Sequence, residues 1–134
     1  MSFTEEEYAD MVYGAETALL WSECGDDDVQ LCESFSPENI AETSHREFGE
    51  AVRGLADSMP EDTRVMMAHY AATSRGQLWS PASLWGHDFT LTTNRQGVGF
   101  WDRGETSGAA ERLTAMCVST YGAYVGDDGL VYIS

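Results

Sequence analysis

The stretch Gly86-His87-Asp88-Phe89-Thr90-Leu91-Thr92-Thr93-Asn94-Arg95-Gln96-Gly97-Val98-Gly99-Phe100-Trp101-Asp102-Arg103-Gly104 decides how the second half of this chain is read. Phe89 and Leu91 alternate with Thr90 and Thr92, the two-residue period of a half-buried strand. Asn94 to Gly97 supplies turn residues, and Val98 with Phe100 resumes the alternation. The pattern predicts a β-hairpin with Phe89, Leu91 and Phe100 on the core side and Trp101 on the other. There Trp101 is either an exposed interaction anchor or packed under a neighbouring layer. Gly97, Gly99 and Gly104 read as turn and close-packing glycines, since they do not join a parallel strand to a helix as a phosphate loop requires.

Working outward, Leu78 to Gly86 is a tryptophan-bearing connection with room for one helical turn after Pro81. Upstream of it the period becomes helical. Thr4 and Glu7 have capping-box spacing, and Tyr8, Met11, Val12, Ala15, Ala18 and Leu19 then recur as one face of a helix over about 5–21. Ser36-Pro37 starts a second helix with Ile40, Phe48, Val52 and Leu55 inward. Met59-Pro60 interrupts it. Val65, Met66, Tyr70 and Ala71 mark a third helix closing near Arg75-Gly76. Downstream, Ser107 is placed to cap a fourth helix with Leu113, Met116, Cys117 and Tyr121 inward. Tyr124-Val125, the turn Gly126-Asp127-Asp128-Gly129 and Leu130 to Ile133 form a second hairpin. The expected fold is α+β: three N-terminal helices packed on a small antiparallel sheet, two β-hairpins flanking one helix. With 134 residues, 43% of them hydrophobic, the chain is read as a single domain over 1–134. A helical half, 1–76, precedes a hairpin-helix-hairpin half, 77–134.

Charge divides the chain more sharply than composition does. The formal net charge is −16, from 23 carboxylates against seven cations, and every cation is an arginine. Residues 1–62 hold 17 of the carboxylates and two arginines, Arg46 and Arg53, a net of −15; the other 72 residues hold six carboxylates and five arginines, a net of −1. Such a balance excludes direct binding to nucleic-acid phosphates and attraction to anionic membranes. The opening residues lack the basic and apolar regions of a secretory signal, and no apolar run reaches the length of a membrane span. Cys24, Cys32 and Cys117 are odd in number and widely spaced, which predicts reduced thiols in a cytosol.

Candidate chemistry is sparse. His87, Asp88, Asp102 and Arg103 would meet at the open end of the first hairpin. They form either a small catalytic cluster with His87 as base or an Asp88–Arg103 ion pair tying the hairpin ends. Asp26-Asp27-Asp28 fails the calcium-loop pattern, with Leu31 at its sixth position and Pro37 at its twelfth, and reads as a solvated acidic loop. His45 and His69 have no partner at ligand spacing and read as surface or internally satisfied histidines. Met59, Met66, Met67 and Met116 read as core filler. No metal and no cofactor is expected.

Gly86 to Gly104, with the ending Ala123-Tyr124-Val125-Gly126-Asp127-Asp128-Gly129-Leu130-Val131-Tyr132, resembles a family of small acidic proteins of bacteriophages and prophages. These read G-H-D-F-W-L-T-R-N-G-H-G-A-G-F-W-D-R-G and close on L-Y-V-G-D-D-G-x-I-Y. Ala18-Leu19-Leu20-Trp21-Ser22 is similar to a segment of their acidic amino-terminal part. The likeness covers residues 86–132, and the motif's turn arginine, glycine and histidine are replaced here by Thr93, Arg95 and Gln96. It implies a phage or prophage origin and a cytoplasmic setting in the host cell, and brings no activity with it.

Carboxylates three or four residues apart on a helix lie roughly 5–6 Å from one another at Cβ, comparable to phosphates along a strand. A face carrying Glu6, Asp10, Glu16, Glu23, Asp26, Asp27, Asp28, Glu38, Glu42 and Glu50 could therefore occupy the basic groove of a nucleic-acid-binding protein. The expected function is non-catalytic: binding a basic host protein as a DNA mimic, in the manner of an anti-restriction or anti-CRISPR inhibitor. A solvated acidic face serving solubility or high salt is the plain alternative. A small enzyme built on His87, Asp88, Asp102 and Arg103, or a virion assembly accessory, are the other readings.

Overall fold

The computed structural model describes residues 2–23, 29–73, 79–95 and 99–134. In chain order it contains α1 (Glu5–Ser22), α2 (Glu42–Ser58), α3 (Pro60–Thr73), α4 (Pro81–Thr93), α5 (Ala109–Met116), β1 (Ala123–Val125) and β2 (Val131–Ile133). Short 3-10 turns lie at Leu31–Glu33, Pro37–Asn39 and Phe100–Asp102.

The expected α+β fold with two hairpins is overturned. Among the described residues there are five α-helices and one two-stranded antiparallel sheet. The segment expected to form the first hairpin is instead the second half of α4 followed, after residues 96–98 (which lie outside the described residues), by the 3-10 turn at Phe100.

The reason lies in burial. Phe89, Thr90, Leu91, Thr92 and Thr93 are all buried, so this helix end is covered on every side and shows no 3.6-residue stripe. A short buried run cannot be assigned to helix or strand by periodicity. The threonines find partners that a strand would not need. Thr90 Oγ1 donates to the Ala15 carbonyl at 2.7 Å, and Thr92 Oγ1 accepts from Phe100 N–H at 2.9 Å. The start of α4 has a plain local cause: Pro81 occupies its first position, and Ser80 Oγ accepts from Ser83 N–H.

α1 and α4 form the central helix pair because two glycines let them touch. A Cβ on Gly14 would lie 2.0 Å from the Ser83 carbonyl oxygen, and one on Gly86 would lie 1.8 Å from that of Met11. Around the crossing pack Tyr8, Met11, Leu19, Trp85, Phe89 and Phe100, with Phe48 and Val52 from α2, Met66 from α3 and Leu113 from α5. Complete burial of each large side chain contributes about 1.5–3 kcal/mol.

The other helices follow the sequence reading more closely. The Thr4–Glu7 capping box opens α1. Ser36-Pro37 opens only a 3-10 turn, and α2 begins at Glu42, because Ile40 and Ala41 are drawn to β2: the Ala41 N–H donates to the Val131 carbonyl at 2.8 Å. α3 is described as far as Thr73, so its expected close near Arg75-Gly76 lies outside the described residues. Ser107 does not cap α5; it has φ 56, and Thr106 Oγ1 accepts from Ala110 N–H instead. Leu113 and Cys117 face inward as expected, whereas Met116 is exposed.

The C-terminal hairpin forms as expected. β1 pairs with β2 in the register Ala123↔Ile133, Tyr124↔Tyr132 and Val125↔Val131. Val131 closes a second small core with Leu20, Leu31 and Ile40. Asn94 ties α4 to the strand region by two reciprocal hydrogen bonds, both 2.8 Å, with the backbone of Tyr121.

Candidate functional site

The polar residues of the Gly86–Gly104 stretch do not gather into one cluster. Asp88, on α4 and fully buried, receives the Arg103 guanidinium in a two-pronged contact, Nε to Oδ2 at 2.7 Å and Nη2 to Oδ1 at 2.6 Å. Tyr70 of α3 donates its hydroxyl to the same Oδ2 at 2.5 Å. Burial holds the Tyr70 phenol well above its ordinary value, and the Asp88 hydrogen bond raises Arg103. Thus the ion pair exists, but it fastens α4 and α3 to the turn after Phe100 rather than the ends of a hairpin.

His87 is half-buried and packs edge-on against Trp79, ring centroids 6.0 Å apart. Burial lowers its pKa, with Asp88 opposing and Arg103 adding to the effect. Asp102 and Trp101 are exposed. Among the described residues no hydrogen bond joins His87 to Asp88, Asp102 or Arg103.

The acidic residues separate into distinct roles. Glu6, Glu38, Glu42 and Glu50 are exposed. Asp10 accepts from Ser80 Oγ at 2.9 Å, which links α1 to the start of α4. Glu23 accepts from the Ala123 N–H at 3.2 Å, which links the end of α1 to β1. Asp26, Asp27 and Asp28 lie outside the described residues.

Glu16 is not part of an exposed face at all. Its side chain is 1% exposed, and it meets His45 Nδ1 at 2.6 Å, while the imidazole is 55% exposed. Burial pushes the Glu16 carboxyl up to about 7; the His45 hydrogen bond and charge pull against this, and Glu38 adds to it.

This pair sits in the wall of a groove of about 790 Å³ between α1, the Pro37–Asn39 turn and α2. Val12, Tyr13 and Ile40 give it an apolar lining, and Glu38, Glu42 and Glu50 join Glu16 in making it anionic. Arg46 and Arg53 also border it, Arg53 lying 3.5 Å from Glu5. Chemically, the groove offers a carboxyl that gains or loses its proton near neutrality, beside apolar surface and further carboxylates.

Sequence reasoning misses the Glu16–His45 pair. Its partners are 29 residues apart on different helices. The one available sign is a glutamate set among Val12, Ala15, Ala18, Leu19 and Leu20, too apolar a surrounding for a solvated carboxylate. Tyr70 reads as core from the sequence, and its hydroxyl bond to Asp88 carries no sequence signal.

Among the described residues no group of three or more His, Cys, Asp or Glu side chains is placed to hold a metal ion. Cys32 is exposed and Cys117 buried, both as free thiols, and burial pushes Cys117 up to about 12. Cys24 lies outside the described residues. Among the described residues no helix is long and apolar enough to cross a membrane. In comparisons with known proteins, no family model, no curated protein and no solved structure matches this chain.

Proposed function

We propose that this chain is a non-catalytic acidic protein of phage or prophage origin that acts inside the host cell. In this reading it binds a basic, nucleic-acid-acting host protein, of the restriction or CRISPR kind, in place of DNA. The observation that carries this reading is the exposure of Glu38, Glu42 and Glu50 around one groove on the α1–α2 side, in a chain without a single lysine. Glu6 and Glu47 extend the exposed negative charge along the same two helices. Fixed carboxylates on helices keep their spacing without the entropic cost of ordering a flexible acidic tail. A basic groove would therefore meet a preformed anionic surface.

The placement of the acids refines the interacting set. Glu6, Glu38, Glu42 and Glu50 are exposed to a partner, Glu38 while accepting from Ser36 Oγ within its own turn, whereas Asp10, Glu16 and Glu23 tie separate elements of the chain together. The test is capture from host lysate by the immobilised chain at low and at high salt, followed by competition with DNA for each captured protein. The expected result is a nucleic-acid-binding protein that elutes with salt and that the chain displaces from DNA. Capture of no such protein, or capture without competition against DNA, would overturn the proposal.

A further inference from the structure

Three arginines of this chain are each held between an aromatic ring and a carboxylate. Arg53 lies 5.0 Å over the Tyr8 ring and 3.5 Å from Glu5; Arg64 lies 4.4 Å over Phe3 and 3.8 Å from Glu7; Arg103 lies 5.9 Å over Tyr70 and 2.6 Å from Asp88. A planar guanidinium suits this arrangement because its face stacks on the ring while its edge donates to the carboxylate.

The α1–α2 groove presents the same two elements. The Tyr13 ring is 45% exposed and lines the groove one helical turn before Glu16, with Glu42 and Glu50 contributed by α2. Trp79 is its aromatic neighbour, ring centroids 6.1 Å apart. Among the described residues no guanidinium lies over the Tyr13 ring. Arg53, although it borders the groove, is committed to Tyr8 and Glu5.

We propose that this groove is the receptor for an arginine side chain presented by the basic partner, with Tyr13 stacking on the guanidinium and the groove carboxylates accepting from its edge. The inference rests on the acidic-face reading and names where that face is selective. About 790 Å³ is larger than one side chain, so residues flanking the arginine in an extended segment have room along Val12 and Ile40.

Binding should depend on pH through the wall of the groove. Glu16 meets His45 of α2 directly and feels the charge of Glu38 from the 3-10 turn, and it shares the groove lining with Glu42, Arg46, Glu50 and Arg53 of α2 and with Tyr13 of α1. As Glu16 loses its proton, the groove gains a negative charge, while a guanidinium stays charged throughout. A cationic guest therefore binds more tightly on the alkaline side.

The test is a titration of the isotope-labelled chain with a capped arginine tetrapeptide, and with its lysine counterpart, at about pH 6 and about pH 8. Amide shifts around Tyr13, Glu16 and Gly49 are expected, with binding roughly tenfold tighter at the higher pH. Glu16→Gln should reduce that pH dependence. The double variant Glu42→Gln with Glu50→Gln changes only exposed residues, leaves the fold intact and should weaken binding roughly tenfold. Tyr13→Ala should erase the preference for arginine over lysine. Shifts mapping away from the groove, no shifts at millimolar peptide, or full binding by the double variant would each overturn the proposal. The two readings part cleanly: a partner from lysate that the double variant still captures removes the groove proposal alone. Peptide binding in the groove without any nucleic-acid-acting partner removes the wider reading alone.

Discussion

Glu16 shows how far an environment can move a side chain from its ordinary chemistry. Packed among apolar residues of α1 and bonded to His45, its carboxyl rises from 4.5 to about 7. Its contribution to stability is therefore fully present below about pH 4.5 and is lost as pH rises through about 7. The whole shift corresponds to at most about 3 kcal/mol. Denaturant unfolding of the native chain and of Glu16→Gln across this range should show their stability difference moving in favour of the glutamine variant as pH rises. An unchanged difference would mean that the carboxyl is solvated. Asp88 presents the opposite case, a buried carboxylate that keeps its cation. Arg103→Met would leave it with Tyr70 alone, at a cost of about 2 kcal/mol in urea unfolding. That is below the figure for a fully buried pair because the Arg103 side chain is 34% exposed.

At the scale of elements, the crossing of α1 and α4 decides the architecture. Gly86→Ala would drive a methyl group into the Met11 carbonyl, where neither helix backbone can yield, and should cost about 3 kcal/mol or abolish folding. Gly54 is the control. It lies on an exposed side of α2, where an added methyl group would have nothing within 4 Å, so Gly54→Ala should stabilise the chain by about 0.5–1 kcal/mol. Thermal melts of the two variants give opposite signs if the helix contact is as described. Helices with one solvated face, α1 and α2 above all, were legible because their periodicity survives. The C-terminal hairpin was legible because Gly126 to Gly129 is turn chemistry in the chain itself. The end of α4 was not, since Phe89 to Thr93 is covered all round and its β-branched threonines satisfy themselves on neighbouring elements.

Over the whole molecule, charge outweighs every other surface property. A net charge of −16 on 134 residues repels itself in the folded state. Added salt shortens the screening length to about 8 Å at physiological ionic strength. The melting temperature should therefore climb as sodium chloride is raised from about 10 to about 150 mM, a range in which a charge-balanced protein of this size changes little. Binding to a basic partner should respond in the opposite direction, slowing in association as salt rises. Measuring both on one preparation separates repulsion within the chain from attraction across an interface.

By itself the sequence determined the quantities that are sums or local patterns: the concentration of negative charge before residue 63, the capped first helix and the closing hairpin. Only the tertiary structure decided which carboxylates are surface and which are structural, and that the motif after Gly86 continues as helix. Both depend on what covers a residue from elsewhere in the chain. Glu16 and Glu42 are the same side chain on neighbouring helices, but the first is buried and bonded to His45, while the second stays in water.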